Sequence, residues 1–282
     1  MSKPKVVIVV GPTASGKSAL AVKLAHKIAG EVISADSRQV YKGLDIGTGK
    51  ITQKEMKGVP HHLLDVISPK KVFTAQNFVE QGRVVLEDIL KRGKTPIICG
   101  GTGFYIDALV GRVTLPNVPP NHALRKKLAA KTALQLFAML KKIDPRRAKN
   151  IDRHNPVRLV RAIEIAKTLG KVPALKPKPL PYKIEWIGLK PSDKILRAKI
   201  RKRLLQRMKD GMVREAINLH KNGLSYKRMH ELGLEYRYLA LLLQKKIDKK
   251  EMLGRLEKGI WDYAGRQMMY WKRNAEIAWQ TK

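Results

Sequence analysis

At 282 residues the chain exceeds the common size of one domain, about 100 to 200 residues, so one core with an inserted or appended second unit is expected. The 58 Lys and Arg against 23 Asp and Glu leave a formal charge of +35; such a surface attracts polyanions, and it fits nucleic acid better than a membrane because the cations spread over many segments. Cys99 is the only cysteine, which excludes an internal disulfide or thiolate cluster, and no apolar run approaches the roughly 18 residues of a membrane span.

The N-terminus runs into a strand signal without a small-residue cleavage site, so a cytoplasmic chain with no membrane association, acting as a monomer, is expected. Lys5 to Val10 is a continuous β-branched run and predicts a buried strand. GPTASGKS follows, then a helix from about Lys17 with Leu20, Leu24 and Ile28 on one face and Gly30 as its C-terminal cap. Glu31 to Ala35 predicts a second strand, ending at Asp36. A helix from about Thr74 to Arg92 carries Phe78, Val85, Leu86, Ile89 and Leu90 on one face and stops at Gly93. Thr95 to Cys99 makes a third buried strand, followed by Gly100-Gly101-Thr102-Gly103 and another helix. Cys99, between an apolar run and two glycines, reads as a small buried residue and not a nucleophile. Apolar strands alternating with amphipathic helices imply an α/β fold whose parallel sheet is covered on both faces.

After about Arg112 the pattern changes. A proline-containing loop leads to three short basic helices that begin near Asn121, Thr132 and Asn155, the last with an N-cap asparagine and a first-turn proline, Pro156. Lys171 to Pro181, with four prolines, predicts an extended connection. Lys183 to Leu189 returns to strand character and adds a strand to the first sheet. The remainder predicts helices: a basic one from about Ser192, a second to about Asn222, a third around Tyr236 to Gln244, and a long one from Asp248 that spaces Met252, Leu256, Ile260, Tyr263, Gln267 and Trp271 three or four apart. The organisation is therefore a P-loop parallel-sheet core from residues 1–112 and 183–282, a helical insertion at 113–182 and a helical C-terminal part.

Gly11, Gly16, Lys17 and Ser18 satisfy the P-loop pattern, and the context of a buried strand before and an amphipathic helix after is the one that aims backbone N–H groups and a positive helix end at phosphate. Lys17 can reach the outer phosphate, and the Ser18 hydroxyl can ligate Mg²⁺. The pattern identifies a diphosphate or triphosphate and not what is attached to it. Asp36 leaves the carboxyl end of the second strand, where open parallel sheets bind ligands. Three roles fit it: a turn cap made with Ser37, a metal carboxylate, or a general base close to the P-loop. Thr102, in the glycine-rich turn after the third strand, sits at the same edge and can donate to phosphate or substrate.

GPTASGKS, SADSRQVYKGLDIGTGK (Ser34 to Lys50), HHLLDV (His61 to Val66), GGTGFY (Gly100 to Tyr105), NPVRLVRAIEI (Asn155 to Ile165) and GRQMMYW (Gly265 to Trp271) occur in the order found in tRNA dimethylallyltransferases, and together they span the chain. The resemblance implies transfer of a dimethylallyl group from dimethylallyl diphosphate to N6 of the adenosine immediately 3′ of the anticodon in tRNA, with Mg²⁺. It implies that Gly11, Pro12, Thr13, Ala14, Ser15, Gly16, Lys17 and Ser18 hold the diphosphate, that Asp36 is the base and that Thr102 hydrogen-bonds near the reaction centre. It further implies that Ser37, Arg38 and Gln39 touch the target nucleotide, and that Arg125 together with Val157, Arg158, Leu159, Val160 and Arg161 of the insertion grips tRNA. Where relatives often carry Gly-Tyr-Arg, this chain has Glu235-Tyr236-Arg237; Tyr236 and Arg237 are carried over to the tRNA on the remaining match. Tyr236 and Trp271 are core positions by spacing, with base stacking as the alternative; Arg158 and Arg161 equally fit a solvated basic face. Three other functions remain open on the residues alone: alkylation of a free adenine nucleotide as in the similar cytokinin synthases, a P-loop metabolite kinase, and a nucleic-acid-binding switch that senses nucleotide.

Overall fold

The computed structural model describes residues 3–174 and 176–281; Leu175, inside the proline-containing connection, lies outside them. The chain divides into two compact units, Met1–Val110 with Pro179–Lys282, and Gly111–Lys178.

The first unit opens with β1 (Lys5–Val10) and α1 (Lys17–Lys27), then β2 (Gly30–Ser34), the short α2 (Gln53–Met56), β3 (His61–His62), α3 (Ala75–Lys91), β4 (Thr95–Cys99) and α4 (Gly103–Leu109). Thr74 and Asn77 form a reciprocal capping box that starts α3 where the sequence placed its beginning. Gly30 is not the cap of α1. Ile28 closes that helix, Ala29 takes the left-handed turn at φ 49°, and Gly30 opens β2, where a Cβ would lie 2.8 Å from the Thr95 carbonyl oxygen.

The second unit contains α5 (His122–Ala129), α6 (Ala133–Ile143), α7 (Pro145–Lys149) and α8 (Pro156–Leu169). The single-turn α7, capped by Asp144 and started by Pro145, was not legible as a helix. Leu128, Leu136, Leu140, Leu159 and Ile163 make this unit's own core. At its centre the fully buried Glu164 accepts from Arg125, Arg161 and the Asn121 amide. Burial alone would raise the Glu164 pKa, but the two guanidinium groups and the amide outweigh it and hold it at about 2.

The chain then returns to the first unit with β5 (Lys183–Lys190), α9 (Asp193–Lys209), α10 (Met212–Lys221), α11 (Tyr226–Leu232), α12 (Leu234–Leu243), α13 (Lys249–Trp271) and β6 (Ala278–Thr281). Among the described residues six parallel strands form one sheet in the order β3-β2-β4-β1-β5-β6. The chain moves from β1 outward to β2 and β3, returns to β4 beside β1, and continues with β5 on the other side, so the strand order reverses around β1. That reversal opens a crevice at the carboxyl ends of the strands. The register aligns those ends: Val9 pairs with Cys99 and with Ile187, and Ser34 pairs with Cys99.

Both sheet faces are covered, as the unbroken apolar strands require. Val7, Val9, Val32, Ile97 and Cys99 pack with Ala21, Val22 and Ala25 of α1, while Ile8, Ile33 and Ile98 pack with α3, α4 and the C-terminal helices. Burial pushes the Cys99 thiol up to about 11, which agrees with a structural role. Glu31, buried within β2, is held by Arg92 and His62; the Arg92 hydrogen bond is the main reason its pKa falls to about 2.

Glu31 and Glu164 both sit far below the ordinary value near 4.5. Each contributes stability that is present above the unfolded carboxylate range and lost as pH falls from about 4.5 toward 2. Glu164→Ala, which leaves two arginines without their buried counterion, is expected to lower stability by about 3 kcal/mol in urea unfolding and to flatten this acid limb. An unchanged acid limb would refute the assignment.

Candidate active site

The crevice is built from three loops that leave β1, β2 and β4 at the same edge. Gly11 adopts φ 144° directly after β1, and a Cβ there would lie 2.6 Å from the Leu189 carbonyl oxygen. Ala14 and Gly16 take φ 62° and 97°, so the loop from Gly11 to Ser18 turns repeatedly through left-handed conformations, the geometry that makes an amide-lined concavity. No side chain caps the N-terminus of α1, which leaves its first amides to a ligand. Lys17 curls back so that Nζ donates to the Pro12 carbonyl at 2.6 Å. Burial lowers its pKa to about 8, partly offset by Cys99 and Asp36 and reinforced by Arg203.

The second loop carries Asp36. Its Oδ1 accepts from the amides of Arg38 at 2.8 Å and Gln39 at 3.3 Å, so the turn-cap role is realised. Oδ2 receives no hydrogen bond from the described residues and keeps a lone pair for a proton. The third loop begins at Gly100, where a Cβ would collide with the backbone of Ala35, so strand ends β2 and β4 touch there. The approach lets the Thr102 amide donate to the Ala35 carbonyl at 3.2 Å and the Thr102 Oγ1 accept from the Ser37 amide at 3.1 Å. Thr102 and Asp36 are thereby locked to neighbouring peptides.

Long helices complete the site with residues whose roles the sequence did not disclose. Gln267 of α13 accepts from the Thr13 amide at 2.8 Å and donates to the Gly101 carbonyl at 3.0 Å, tying the phosphate loop to the glycine-rich turn. Gly101 has no room for a Cβ because the Gln267 amide fills that space. Tyr263, one turn earlier on α13, lies near Asp36 and Thr102; burial first, then Asp36, raises its pKa well above the usual phenol value. Arg203 of α9 donates to the Gly49 carbonyl at 3.0 Å, and its charge acts on both Lys17 and Asp36. The signal for Gln267 and Tyr263 was present as polar side chains on the buried face of a long helix; Arg203 was one cation among many.

Other carried-over positions fall differently. Tyr236, 1% exposed, donates its hydroxyl to Glu215 at 2.8 Å, and Leu159, fully buried, belongs to the core of the second unit, so neither side chain is available to tRNA. Trp271 is core as well, tilted against Trp186. Arg125 and Arg161 are engaged by Glu164. Val157 and Arg158 are exposed, Val160 is half-buried, and Arg237 is exposed. Glu235, the departure from the family pattern, pairs with Arg207 at 3.1 Å.

For a metal, the chemistry of the donors decides. The described residues contain no group of three or more His, Cys, Asp or Glu that could hold an ion, whereas Ser18 offers an exposed hydroxyl beside the phosphate loop. One hydroxyl suits Mg²⁺ held chiefly by phosphate oxygens and water. A separate cleft of about 620 Å³, lined by Asp45, Lys50, Thr52, His61 and Asp65, includes none of Gly11–Ser18, Asp36 or Thr102 and is not this site.

Comparison with known proteins shows the family and the fold. The family model described as IPP transferase matches residues 39–274. A tRNA dimethylallyltransferase 2 of Treponema denticola is 42% identical over 98% of this chain and 95% of its own length, and a tRNA dimethylallyltransferase of Anoxybacillus flavithermus is 37% identical over 98% and 89%. The crystal structure of the full-length tRNA isopentenylpyrophosphate transferase from Bacillus halodurans superposes with a TM-score of 0.75 at 34% identity, covering 99% of this chain and 90% of that one. A eukaryotic dimethylallyltransferase acting on tRNA shares the fold, with a TM-score of 0.85 at 24% identity over 99% of this chain and 74% of that one.

Lys17 yields a pH dependence with a definite sign. Only its charged form attracts diphosphate, and that form is lost as pH rises through about 8, whereas an alkyl diphosphate is already fully ionised above pH 7. Calorimetric affinity for an alkyl diphosphate is expected to fall between pH 8 and 10, and in Lys17→Arg to stay level. An affinity in the native protein that is flat across this range would contradict the lowered Lys17 pKa.

Proposed function

Because the chain belongs to the IPP transferase family, with tRNA dimethylallyltransferases as its relatives over nearly the whole length, we propose that it moves a dimethylallyl group from dimethylallyl diphosphate to N6 of the adenosine immediately 3′ of the anticodon in tRNA, releasing diphosphate. The observation that carries this reading is the Thr102–Ser37 hydrogen bond, which fixes a carboxylate and a hydroxyl at the crevice that also receives the phosphate loop.

The chemistry follows from the groups present. The loop amides from Gly11 to Ser18 and the Lys17 ammonium stabilise negative charge as the bond between the allylic carbon and the diphosphate oxygen breaks. Mg²⁺, held by Ser18 and the phosphate oxygens, would supply further positive charge at the departing group. Adenine N6 is a poor nucleophile because its lone pair is delocalised into the ring. Asp36 Oδ2 takes the N6 proton as the new carbon–nitrogen bond forms, while Oδ1 stays bound to two amides that hold the carboxylate in place. Thr102, Ser37, Arg38 and Gln39 position the adenosine. No nucleotide is hydrolysed.

The acceptor is RNA and not a free nucleotide on the strength of the +35 charge, which exceeds what a small acceptor needs. Single-stranded anticodon bases are splayed out to be read. In the helical unit, Arg158 lies exposed in the first turn of α8 and makes no ion pair among the described residues, so it is assigned to tRNA phosphate; Arg161 of the same helix and Arg125 are held by Glu164. No described helix is long and apolar enough to cross a membrane, and the reaction is assigned to the cytoplasm with the protein as a monomer.

Incubation with unmodified tRNA and radiolabelled dimethylallyl diphosphate is expected to label the RNA; preferential labelling of AMP would replace the acceptor assignment. Asp36→Ala is expected to lower the rate roughly 10²- to 10⁴-fold with tRNA affinity retained. Unchanged turnover would remove the base. Arg158→Ala is expected to weaken tRNA binding and to reduce the slope of log affinity against log salt by about 1, and a change in donor affinity alone would contradict it.

A further inference from the structure

Residues 45–50 form a strap beside Gln39, and the C-terminal helices hold three of its amides and two of its carbonyls. Glu215 of α10 accepts from the amides of Asp45 at 2.9 Å, Ile46 at 2.7 Å and Gly47 at 2.9 Å. Arg207 of α9 donates to the Gly47 carbonyl at 2.6 Å, and Arg203, one turn earlier, donates to the Gly49 carbonyl. Two arginines on one helix face therefore grip alternate carbonyls. The fit is close: a Cβ on Gly47 would lie 2.6 Å from the Tyr236 hydroxyl, and one on Gly49 would collide with Arg203.

The strap connects this clasp to the reaction site. The Gly49 carbonyl accepts from Gln39 Nε2 at 3.4 Å as well as from Arg203. Gln39 in turn donates its backbone N–H to the Asp36 carboxylate. What fixes Arg207 is Glu235, and the two side chains are only 12% and 13% exposed.

Stability alone does not account for that pair. Buried ion pairs give little net stability compared with well-packed apolar residues, and Arg207 Nε is buried without a hydrogen-bond partner among the described residues, which is a further cost. We infer that Arg207 and Glu235 are positioning residues: through the Gly47–Gly49 strap they set Gln39 and Arg203 against the reacting adenine and diphosphate. The inference rests on the transferase reading above and deepens it, because it accounts for the glutamate that departs from the family pattern.

The test uses the full chain with Glu235→Gln, Arg207→Met, Gln39→Ala and the combination of Glu235→Gln with Gln39→Ala. Single-turnover transfer to tRNA, KM for tRNA, thermal midpoint and hydrogen exchange of the 45–50 amides are measured for each. Glu235→Gln and Arg207→Met are expected to lower kcat about tenfold or more, with KM for tRNA changed less than about threefold and faster exchange confined to the strap. The combined variant is expected to lose little beyond the larger single loss, since both changes act on one unit. A lowered thermal midpoint with unchanged kcat, additive losses in the combined variant, or unchanged exchange in the strap would each overturn the inference. A loosened strap and lowered kcat beside an inert Gln39→Ala would instead remove Gln39 from the acceptor site and leave the clasp acting through Arg203.

Discussion

The site depends on one close approach, that of the Gly100 backbone to Ala35. Parallel pairing of β2 with β4 ends at Ser34 and Cys99, and the ladder continues past the strand ends because no side chain at position 100 pushes the chains apart. The Ala35 amide donates to the Cys99 carbonyl at 2.8 Å, and the Thr102 amide returns to the Ala35 carbonyl. Only then can Thr102 Oγ1 reach the Ser37 amide and set the turn that presents Asp36. Gln267 extends the same connection to the phosphate loop, so three loops from three strands behave as one rigid surface. Such preorganisation is where a reaction with little covalent chemistry for the protein obtains its rate.

Electrostatics divides the acidic residues from the basic ones by task. With 23 carboxylates against 58 cations, several acids serve as anchors: the buried Glu31 ties α3 to β2, the buried Glu164 ties two arginines in the helical unit, and the half-buried Glu215 holds the strap. Many of the remaining cations face solvent and make a surface suited to a polyanion. Removing an anchor therefore harms the fold, whereas removing an exposed cation alters RNA binding and its salt dependence.

Much of this was legible before the structure. The apolar runs at Lys5 and Thr95, the P-loop and the glycine-rich turn gave the sheet edge and three of its loops, and the motif order gave the family. What was not legible is long-range or short. β3 has two residues and β6 has four, and each is a strand only because a parallel partner lies beside it, His61 on Val32 and Ala278 on Ile187. Gly30 resembled a helix cap because glycine usually is one there, while the tight packing against Thr95 that requires it is a tertiary fact. That Arg125 and Arg161 share the buried Glu164 could not be read from the sequence, and Glu235 had no meaning without Arg207 opposite.

Chemical rescue tests the central claim, that a free Asp36 oxygen beside the phosphate loop removes the N6 proton. In Asp36→Ala, added formate occupies the position of the missing carboxylate, and single-turnover transfer of the dimethylallyl group to tRNA is followed as a function of formate concentration and pH. A saturable recovery of rate is expected that requires the ionised acid and that is absent in Lys17→Ala, where the carboxylate is intact. A rate in Asp36→Ala that matches the native enzyme without formate would show that the proton leaves by another route.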